Sequence, residues 1–412
     1  MLDDLSSIEL FAGGGGLLLG CSLAGFSHEL AIEWDKPSCE TLRMNIESSY
    51  PLVSGTNVLE EDVREVRWAE VAGNLDLLVG GPPCQPFSLG GLSRAALDER
   101  DMFPAFTEAL LELKPRAFII ENVKGLTRPS FSDYYTYILL RLQHPALRAH
   151  KDETWRDHLA RLSKEHTSGV HDDLRYEVIP TVVDAADYGV PQHRMRVFIV
   201  GFRSDVNADW TFPKKTHSGA ALSKMKKTGE YWDIHQIPRT KRIEEERRHD
   251  GDPSLLPWRT VRDALDGMPD PEPDGVPGWL NHELRTGAKA YPGHTGSVLD
   301  EPSKAIKAGV HGVPGGENMI RYPDGSLRYY SVREAARIQS FPDRYEFVSS
   351  WSEAMRQIGN AVPVRLAQVV ASSVAEALLL DDARRVFDAD IVQQIRDGRR
   401  HEPASRVQSA LL

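Results

Sequence analysis

Cys84 lies within residues 80–88, whose sequence is Gly-Gly-Pro-Pro-Cys-Gln-Pro-Phe-Ser. The apolar residues 75–79 precede this segment and are typical of a short buried strand. Glycine tolerates unusual backbone angles and proline fixes one, so the segment predicts a tight turn. Such a turn would hold a thiol at the end of a strand, where parallel α/β sheets place their reactive groups. Taken alone, the segment fits a buried structural cysteine equally well.

Glu121 and Asn122 follow a second apolar run, residues 117–120, which predicts another buried strand. A carboxyl group buried at a strand end costs several kcal/mol unless it is protonated or paired. Taken alone, Glu121 fits a salt bridge or a helix cap. A protonated Glu121 could instead donate a hydrogen bond to a substrate.

Gln192, Arg194 and Arg196 directly precede the apolar residues 197–200, so we expect them at the rim of the same sheet. Nearby positive charge lowers the pKa of a thiol, which is mostly protonated at neutral pH. Arg194 and Arg196 are therefore candidates to favour the thiolate of Cys84 or to anchor a substrate. Surface ion pairing is the alternative for both.

Residues 8–16, Ile-Glu-Leu-Phe-Ala-Gly-Gly-Gly-Gly, join a predicted strand to a helix. The missing side chains at Gly13 and Gly15 let a ligand approach the backbone, and a helix N-terminus favours an anionic group. Glu33 ends the next predicted strand about 20 residues on, where an acid commonly binds the ribose of an adenosine cofactor. The pattern fits a nicotinamide cofactor and S-adenosylmethionine equally well.

In this order, the segments resemble the motifs of the DNA (cytosine-5)-methyltransferase family. Residues 80–88 resemble its nucleophile motif, residues 8–16 its cofactor loop, and residues 121–123 its second catalytic motif. Residues 192–196 resemble its Gln-x-Arg-x-Arg motif, and residues 333–343 and 357–360 resemble two later motifs. Several matches in the family order are far more specific than any one of them.

The resemblance implies transfer of a methyl group from S-adenosylmethionine to carbon 5 of cytosine in a short double-stranded DNA site. Carbon 5 is a poor nucleophile, and the thiolate of Cys84 would activate it by adding at carbon 6. Glu121 would donate to ring N3, and Asn122 would orient the loop that carries Cys84. Gln192, Arg194 and Arg196 complete the catalytic candidates.

The target cytosine lies inside a duplex stack, so it must be flipped into the pocket. In the family the loop after the nucleophile motif closes over the flipped base. Residues 88–100 are polar and rich in glycine, as such a loop requires. We expect their closure to bring Arg94 or Arg100 to the DNA phosphates.

The resemblance also implies which residues bind S-adenosylmethionine. Phe11 and Trp34 would flank the adenine, Glu33 would bind the ribose, and Asp62 would bind the adenine amino group. Core packing is the alternative for each aromatic ring. No metal is expected. The full set of candidates is Phe11, Ala12, Gly13, Gly15, Gly16, Glu33, Trp34, Asp62, Val63, Pro82, Asn360 and Ala361.

The family layout and the composition predict an α/β fold with a Rossmann-like, mostly parallel sheet and a smaller, irregular target-recognition domain. Short apolar runs alternate with helical patterns in residues 1–202, the predicted catalytic domain. Pro and Gly become frequent in residues 203–330, the predicted target-recognition region. Residues 331–412 carry the late motifs, and a helix from about 363 is expected to pack back on the catalytic domain.

Bulk properties agree with a bacterial cytoplasmic protein associated with the nucleoid through DNA. The formal net charge is −11, so any DNA-binding surface must be a local basic face. Three cysteines without CxxC spacing argue against a disulfide framework or a zinc site. We expect no signal peptide and no membrane span, a monomer, and a cognate restriction endonuclease that forms no stable complex with it.

Three other functions remain open at this point. One branch of the family methylates cytosine in RNA, although the long segment 203–330 favours DNA. A DNA-binding regulator without catalytic activity would have no need of Cys84, Glu121 and Arg194 together. A thiol hydrolase would pair Cys84 with a histidine, for which His193 is a nominal candidate.

Overall fold

The structure, a computed structural model, describes residues 5–71, 73–83, 101–168, 174–242, 249–291, 294–308 and 318–396, with side chains up to residue 387. Cys84 lies outside the described residues, and so do Arg94 and Arg100 of the predicted closing loop. The residues on either side of Cys84, up to Pro83 and from Asp101, are described.

A central sheet contains β1 (Leu5–Leu10), β2 (Phe26–Glu33), β3 (Asn57–Glu60), β4 (Leu77–Gly80), β5 (Ala117–Val123), β6 (Tyr176–Asp184) and β7 (Met195–Arg203). The strand order across this sheet is β3-β2-β1-β4-β5-β7-β6. Neighbouring strands from β3 to β5 are parallel, whereas β7 is antiparallel to both β5 and β6. The predicted α/β class with a mostly parallel sheet is therefore confirmed.

The helices of the described residues are α1 (Gly16–Leu23), α2 (Lys36–Glu47), α3 (Phe103–Leu113), α4 (Ser132–Gln143), α5 (Trp155–Ser168), α6 (Gly219–Thr228), α7 (Glu230–Ile234), α8 (Val261–Leu265), α9 (Val332–Ile338), α10 (Trp351–Asn360) and α11 (Val364–Arg396). Successive strand residues face opposite sides of the sheet, so each side has its own apolar layer. Leu78 and Phe118 pack with α3 and α4 on one side. Val79 and Ile119 pack with α1 and α11 on the other.

The carboxyl ends of β1, β2, β4 and β5 meet at one edge of the sheet because these strands are parallel. This edge carries the glycine loop after Leu10, Glu33 at the end of β2, the turn after Gly80, and Glu121 near the end of β5. Ligands of open α/β sheets bind at this edge.

The region between Arg203 and Tyr330 contains only very short strands in its described part. β8 (His217–Ser218) pairs with β9 (Leu256–Pro257), and β10 (Ser297–Val298), β11 (Met319–Arg321) and β12 (Leu327–Tyr329) form a small sheet. This irregularity agrees with the composition change seen in the sequence.

Three features of the fold carry no clear sequence signal. β3 was not predicted, because an edge strand of four half-exposed residues gives no periodic signal. α4 lies in a largely polar stretch of the sequence, yet it packs in the core beneath the sheet. The helix expected from about 363 continues through Asp381 and Asp382, which accept hydrogen bonds from Arg116, and forms a single α11.

No membrane span was expected from the sequence, and one stretch of the described residues meets the length and composition of a span. The stretch Trp351–Phe387 is long and apolar enough to cross a membrane by composition, with a mean hydropathy of 1.4 in its best window. That window is 56% buried within the protein, as in the core helix of a soluble fold. Its apolar residues, including Leu366, Val370 and Val374, pack against the sheet.

Candidate active site at the carboxyl edge of the sheet

The glycine loop between β1 and α1 adopts backbone angles that favour glycine. The φ angles of Gly13 and Gly15 are +52° and +83°. A Cβ atom at Gly13 would have no heavy atom nearer than 4.0 Å, so the backbone there is open to a ligand. Phe11 has a φ of +58°, a strained value for a residue with a bulky side chain.

Glu33 closes this loop from the end of β2. Its Oε2 accepts a hydrogen bond from the Gly13 backbone N–H (2.8 Å), and its Oε1 accepts one from the Asp35 N–H (2.8 Å). Burial raises the pKa of Glu33, while these backbone N–H groups act in the opposite direction. Glu33 therefore holds the glycine loop in place, and it also lies beside the cleft in front of that loop.

A cleft opens in front of the loop, and five of the twelve cofactor candidates line it. Trp34 is 69% exposed, which excludes core packing for this ring, while Phe11 is half-buried. Asp62 caps the next turn and pairs with Arg64 (2.6 Å), which lowers the pKa of Asp62. The lining residues are Phe11, Ile32, Glu33, Trp34, Glu61, Asp62, Val63, Pro83 and Met102.

The end of α10 packs directly against the start of α1. A Cβ atom at Gly16 would lie 2.3 Å from the Val362 carbonyl oxygen and 3.0 Å from the Ala361 Cβ. Asn360, the last residue of α10, is exposed beside this contact. The late motif thus contacts the glycine loop, although the two are more than 300 residues apart in the sequence.

These residues fit S-adenosylmethionine, the group that the sequence resemblance implies. Two rings, Phe11 and Trp34, are available to an adenine, and the carboxylates of Glu33 and Asp62 are acceptors for hydroxyl and amino groups. The open backbone at Gly13 suits a ligand that approaches closely. Among the described residues, no group of three or more His, Cys, Asp or Glu could hold a metal ion.

The turn that leads to Cys84 passes beside Glu121. Gly80 pairs with Ile120 across β4 and β5, so residues 81–83 run alongside the end of β5. A Cβ atom at Gly81 would lie 3.6 Å from Glu121 Oε2. Asn122 Nδ2 donates to the Pro82 carbonyl oxygen (3.1 Å) and so holds this turn in place.

Glu121 is buried and paired with Arg196. Only 7% of Glu121 is exposed, and Arg196 Nε lies 2.6 Å from its Oε1. The N–H is not aligned with that oxygen, so the contact is an ion pair and Oε1 has no hydrogen-bond partner. The carboxylate of Glu121 is thus paired with Arg196 through Oε1, while its Oε2 faces the turn at Gly81.

Gln192 and Arg194 have other partners. Arg194 is 2% exposed, and its guanidinium donates to the carbonyl oxygens of Ile306, Gly359 and Ala361. Gln192 is fully buried and donates to Gln339 Oε1 (2.8 Å). Arg196 is the arginine that reaches Glu121. Cys84 lies outside the described residues, so the expected effect of either guanidinium on its thiol stays a prediction.

His193 is paired with Asp184. Its Nδ1 lies 2.9 Å from Asp184 Oδ2, and its ring packs edge-on against Trp258. The Asp184 carboxylate raises the pKa of His193, although burial opposes the shift. Cys84 lies outside the described residues, so the structure does not test a Cys–His dyad.

Sequence reasoning missed two buried polar residues of this site. Gln339 lies in the motif at residues 333–343, and its Nε2 donates to the carbonyl oxygens of Ile358 and Ala361. Glu9 lies within the glycine-loop motif, where burial, reinforced by the Glu33 carboxylate, raises its pKa. Glu9 could have been found as a polar residue inside an apolar run. No sequence signal indicated Gln339 apart from the motif that contains it.

Solved structures share this fold. The Dnmt2 methyltransferase of S. pombe aligns over 92% of this chain and 99% of its own, with a TM-score of 0.54 and 18% identity. A mutant form of the Spodoptera frugiperda DNMT2 aligns over 91% of this chain and 99% of its own, with a TM-score of 0.54 and 15% identity. At these identities the likeness shows the fold alone. With its glycine loop and strand order, the protein has the fold of an α/β methyltransferase.

The family is shown by sequence comparison. A family model described as C-5 cytosine-specific DNA methylase matches residues 5–144 and 162–376. Type II methyltransferase M.PspPI of Psychrobacter sp. (strain TA137) is 31% identical over 389 residues, covering 90% of this chain and 79% of its own. M.Eco47II of Escherichia coli is 31% identical over 383 residues with the same coverage. The chain belongs to the C-5 cytosine-specific DNA methylase family and is a DNA cytosine-5 methyltransferase of the restriction-modification type, as the motifs indicated.

Proposed function

We propose that the protein transfers a methyl group from S-adenosylmethionine to carbon 5 of a cytosine flipped out of a short double-stranded DNA site, through a covalent bond to Cys84. The buried Glu121–Arg196 pair, whose carboxylate lies beside the turn that leads to Cys84, carries this proposal. The family match supports the reaction class and the DNA substrate.

S-adenosylmethionine supplies an electrophilic methyl group when it is bound. Phe11 and Trp34 would hold its adenine, and Glu33 and Asp62 would accept hydrogen bonds from its hydroxyl and amino groups. Val63 and Pro83, which line the same cleft, would exclude water. The remaining candidates, Ala12, Gly13, Gly15, Gly16, Pro82, Asn360 and Ala361, would form the loop and walls around it.

The protein's own groups would activate the cytosine in sequence. The Cys84 thiolate forms a bond to carbon 6, and the electron pair moves toward carbon 5 and ring N3. Glu121 protonates N3, and Arg196 holds the carboxyl group in position. After carbon 5 is methylated, a solvent molecule takes its proton, and the electron pair of that bond forms the double bond between carbons 5 and 6. The Cys84 sulfur leaves as a thiolate, and the N3 proton returns to Glu121.

Target recognition would reside in residues 203–330, which carry no catalytic motif of the family. Base readout in the major groove requires side chains such as Arg, Lys, Asn or Gln at defined positions. In a bacterial cell the methylation would protect host DNA from a cognate restriction endonuclease. The enzyme would act in the cytoplasm as a monomer, without a stable complex with that endonuclease.

The proposal is tested by incubating the protein with tritiated S-adenosylmethionine and either plasmid DNA or transfer RNA. We expect label in DNA alone, a single methylated cytosine context by bisulfite sequencing, and no label with Cys84→Ser. Label on adenine, label in RNA alone, or full activity of Cys84→Ser would contradict the proposal. DNA binding without any label would instead indicate a regulator.

A further inference from the structure

We propose that Arg194 is a positioning residue that fixes the recognition segment, residues 303–308, to the end of α10 that borders the cofactor site. This inference rests on the proposed function and gives Arg194 a different task from the one that its motif implies. Its bonds would place the target DNA relative to the methyl donor, and the guanidinium would not act on the cytosine itself.

The recognition segment runs alongside the Gln192 motif and is bonded to it repeatedly. The Ser303 N–H donates to the Pro191 carbonyl oxygen (2.9 Å), and the His193 N–H donates to the Ser303 carbonyl oxygen (2.8 Å). The Ile306 N–H donates to Gln192 Oε1 (2.8 Å). Residues between Arg203 and Tyr330 thus return to the rim of the catalytic sheet at this segment.

Arg194 joins the recognition segment to α10. Its Nη1 donates to the Ile306 carbonyl oxygen (2.9 Å), and its Nη2 donates to those of Gly359 (2.6 Å) and Ala361 (3.2 Å). A guanidinium is planar and fixes the directions of its donors, so the two segments cannot slide past each other without breaking a bond. Because the cation is buried, a lost bond leaves charge that water cannot reach.

Gly359 allows the two segments to touch. A Cβ atom there would lie 2.4 Å from the Ala308 nitrogen and 2.6 Å from the Lys307 carbonyl carbon. Both are backbone atoms, which cannot rotate away as a flexible side chain would. Lys307 is itself held by Asn318, which accepts from its N–H (3.0 Å) and donates to its carbonyl oxygen (2.9 Å).

The contact path continues to the cofactor loop. Ala361 lies against Gly16, the first residue of α1, so one contiguous set of packed residues links the recognition segment to the glycine loop. A small shift at Ile306 would therefore change where the DNA lies relative to the cofactor. The expected signature is a loss of DNA affinity and target discrimination, accompanied by weaker cofactor binding.

Two probes disturb this junction in different ways. Arg194→Lys keeps the positive charge but loses the planar guanidinium that donates to both segments. Gly359→Ala adds a methyl group where only glycine fits. Two variants serve as matched controls away from the junction. Arg116→Lys affects an arginine that bonds Asp76, Asp382 and the Leu378 carbonyl oxygen at the other end of the sheet. Gly201→Ala adds a methyl group against the Phe118 ring in the core.

The test measures kcat, KM for S-adenosylmethionine, KM for target DNA, and kcat/KM on a site with one altered base pair. We expect both probes to raise KM for target DNA and to lower discrimination roughly tenfold, comparable with losing one base contact. KM for the cofactor should rise as well. Arg194→Met should raise KM for target DNA and lower discrimination more than Arg194→Lys does. The controls should lose stability while both KM values and discrimination stay unchanged.

Three results would overturn the inference. The first is that the probes change stability alone, as the controls do. The second is that Arg194→Lys lowers kcat while both KM values and discrimination stay unchanged, which would return Arg194 to the chemistry. The third applies if the arginine variants fail to fold, and it is that Gly359→Ala leaves both KM values and discrimination unchanged. Failure of the proposed function differs from all of these, since the unaltered protein would then methylate no cytosine.

Discussion

The catalytic sheet and the region between Arg203 and Tyr330 are stabilised by different interactions. The sheet has strands of four to nine residues and fully buried apolar side chains such as Leu77, Leu78 and Phe118. The other region has strands of two or three residues in its described part. Its elements are joined instead by polar side chains, among them Tyr231 and Arg262, which both bond Asp300.

The difference indicates how each region can change. Apolar burial holds the sheet to one arrangement, and the site at its carboxyl edge inherits that rigidity. Short elements joined by side-chain hydrogen bonds leave intervening loops free to differ in sequence and length. Under the proposed function, a fixed catalytic edge beside such loops would suit enzymes that share one reaction and differ in target site.

The largest expected effect is at the catalytic edge. Glu121→Gln should lower kcat roughly 10²–10⁴-fold, because the amide cannot deliver a proton to N3. Binding of S-adenosylmethionine should be unchanged. Single-turnover methylation and calorimetry measure the two effects. Glu60→Gln is the control, since Glu60 also lies at a strand end and pairs with an arginine, Arg43. An equal loss of kcat in both variants would contradict a role for Glu121 in the chemistry.

The sheet should respond most strongly to lost apolar volume. Phe118 is fully buried and packs edge-on against Phe106 and Tyr176. Phe118→Ala should lower the free energy of unfolding by about 3–5 kcal/mol through lost transfer energy and a cavity. Urea denaturation measures this loss. A change below about 1 kcal/mol would show that the layer collapses around the gap and is less rigid than its packing indicates.

The region between Arg203 and Tyr330 should respond instead to lost charge. Asp300→Asn removes the carboxylate that accepts from Tyr231 and Arg262, leaving a partly buried guanidinium unpaired. We expect a loss of about 3 kcal/mol in the free energy of unfolding. Glu70→Gln breaks an exposed pair with Arg67 and should cost less than about 1 kcal/mol. If both variants lowered the free energy of unfolding equally, buried charge pairs would not be what stabilises the region between Arg203 and Tyr330.

Two histidines should respond to pH in opposite directions. His28 in β2 is buried, donating from Nε2 to the Leu18 carbonyl oxygen and accepting at Nδ1 from Ser7, and burial lowers the pKa of His28 to about 4. The unfolded chain therefore binds this proton more tightly, and stability is lost as pH falls from about 6.5 to 4, by about 3 kcal/mol.

His193, next to the recognition segment, has the opposite sign. The pKa of His193 is raised by Asp184, so its contribution is present below about pH 6.5 and lost as pH rises through the folded pKa. Denaturation of His28→Gln and His193→Gln across pH 4 to 9 separates the two. His28→Gln should reduce the loss of stability at acid pH, and His193→Gln should reduce the loss at alkaline pH. The opposite result would contradict the surroundings described for both histidines.

The sequence predicted most of the catalytic body because its signals are local. The runs that became β1, β2, β4 and β5 are short, apolar and bounded by Gly, Pro or a charged residue. Glu33 and Trp34 reach the expected cleft because each ends or follows such a strand.

The partners of Arg194 could not be predicted in this way. Its hydrogen bonds reach residues 112 to 167 positions away, and nothing near Arg194 in the sequence indicates those carbonyl groups. Gln339 is similar, since its side chain is bonded to backbone atoms 19 and 22 residues away. The motif indicated that Arg194 matters, and only the fold shows what it contacts.

The central claim is that the thiol of Cys84 attacks the pyrimidine ring. The direct test is a duplex carrying 5-fluorocytosine at the identified target position, incubated with the protein and S-adenosylmethionine. We expect a covalent adduct, detected by mass spectrometry and mapped to Cys84, because fluorine at carbon 5 cannot leave as a proton does. Absence of an adduct with folded, cofactor-saturated protein, or an adduct that persists in Cys84→Ser, would contradict the claim.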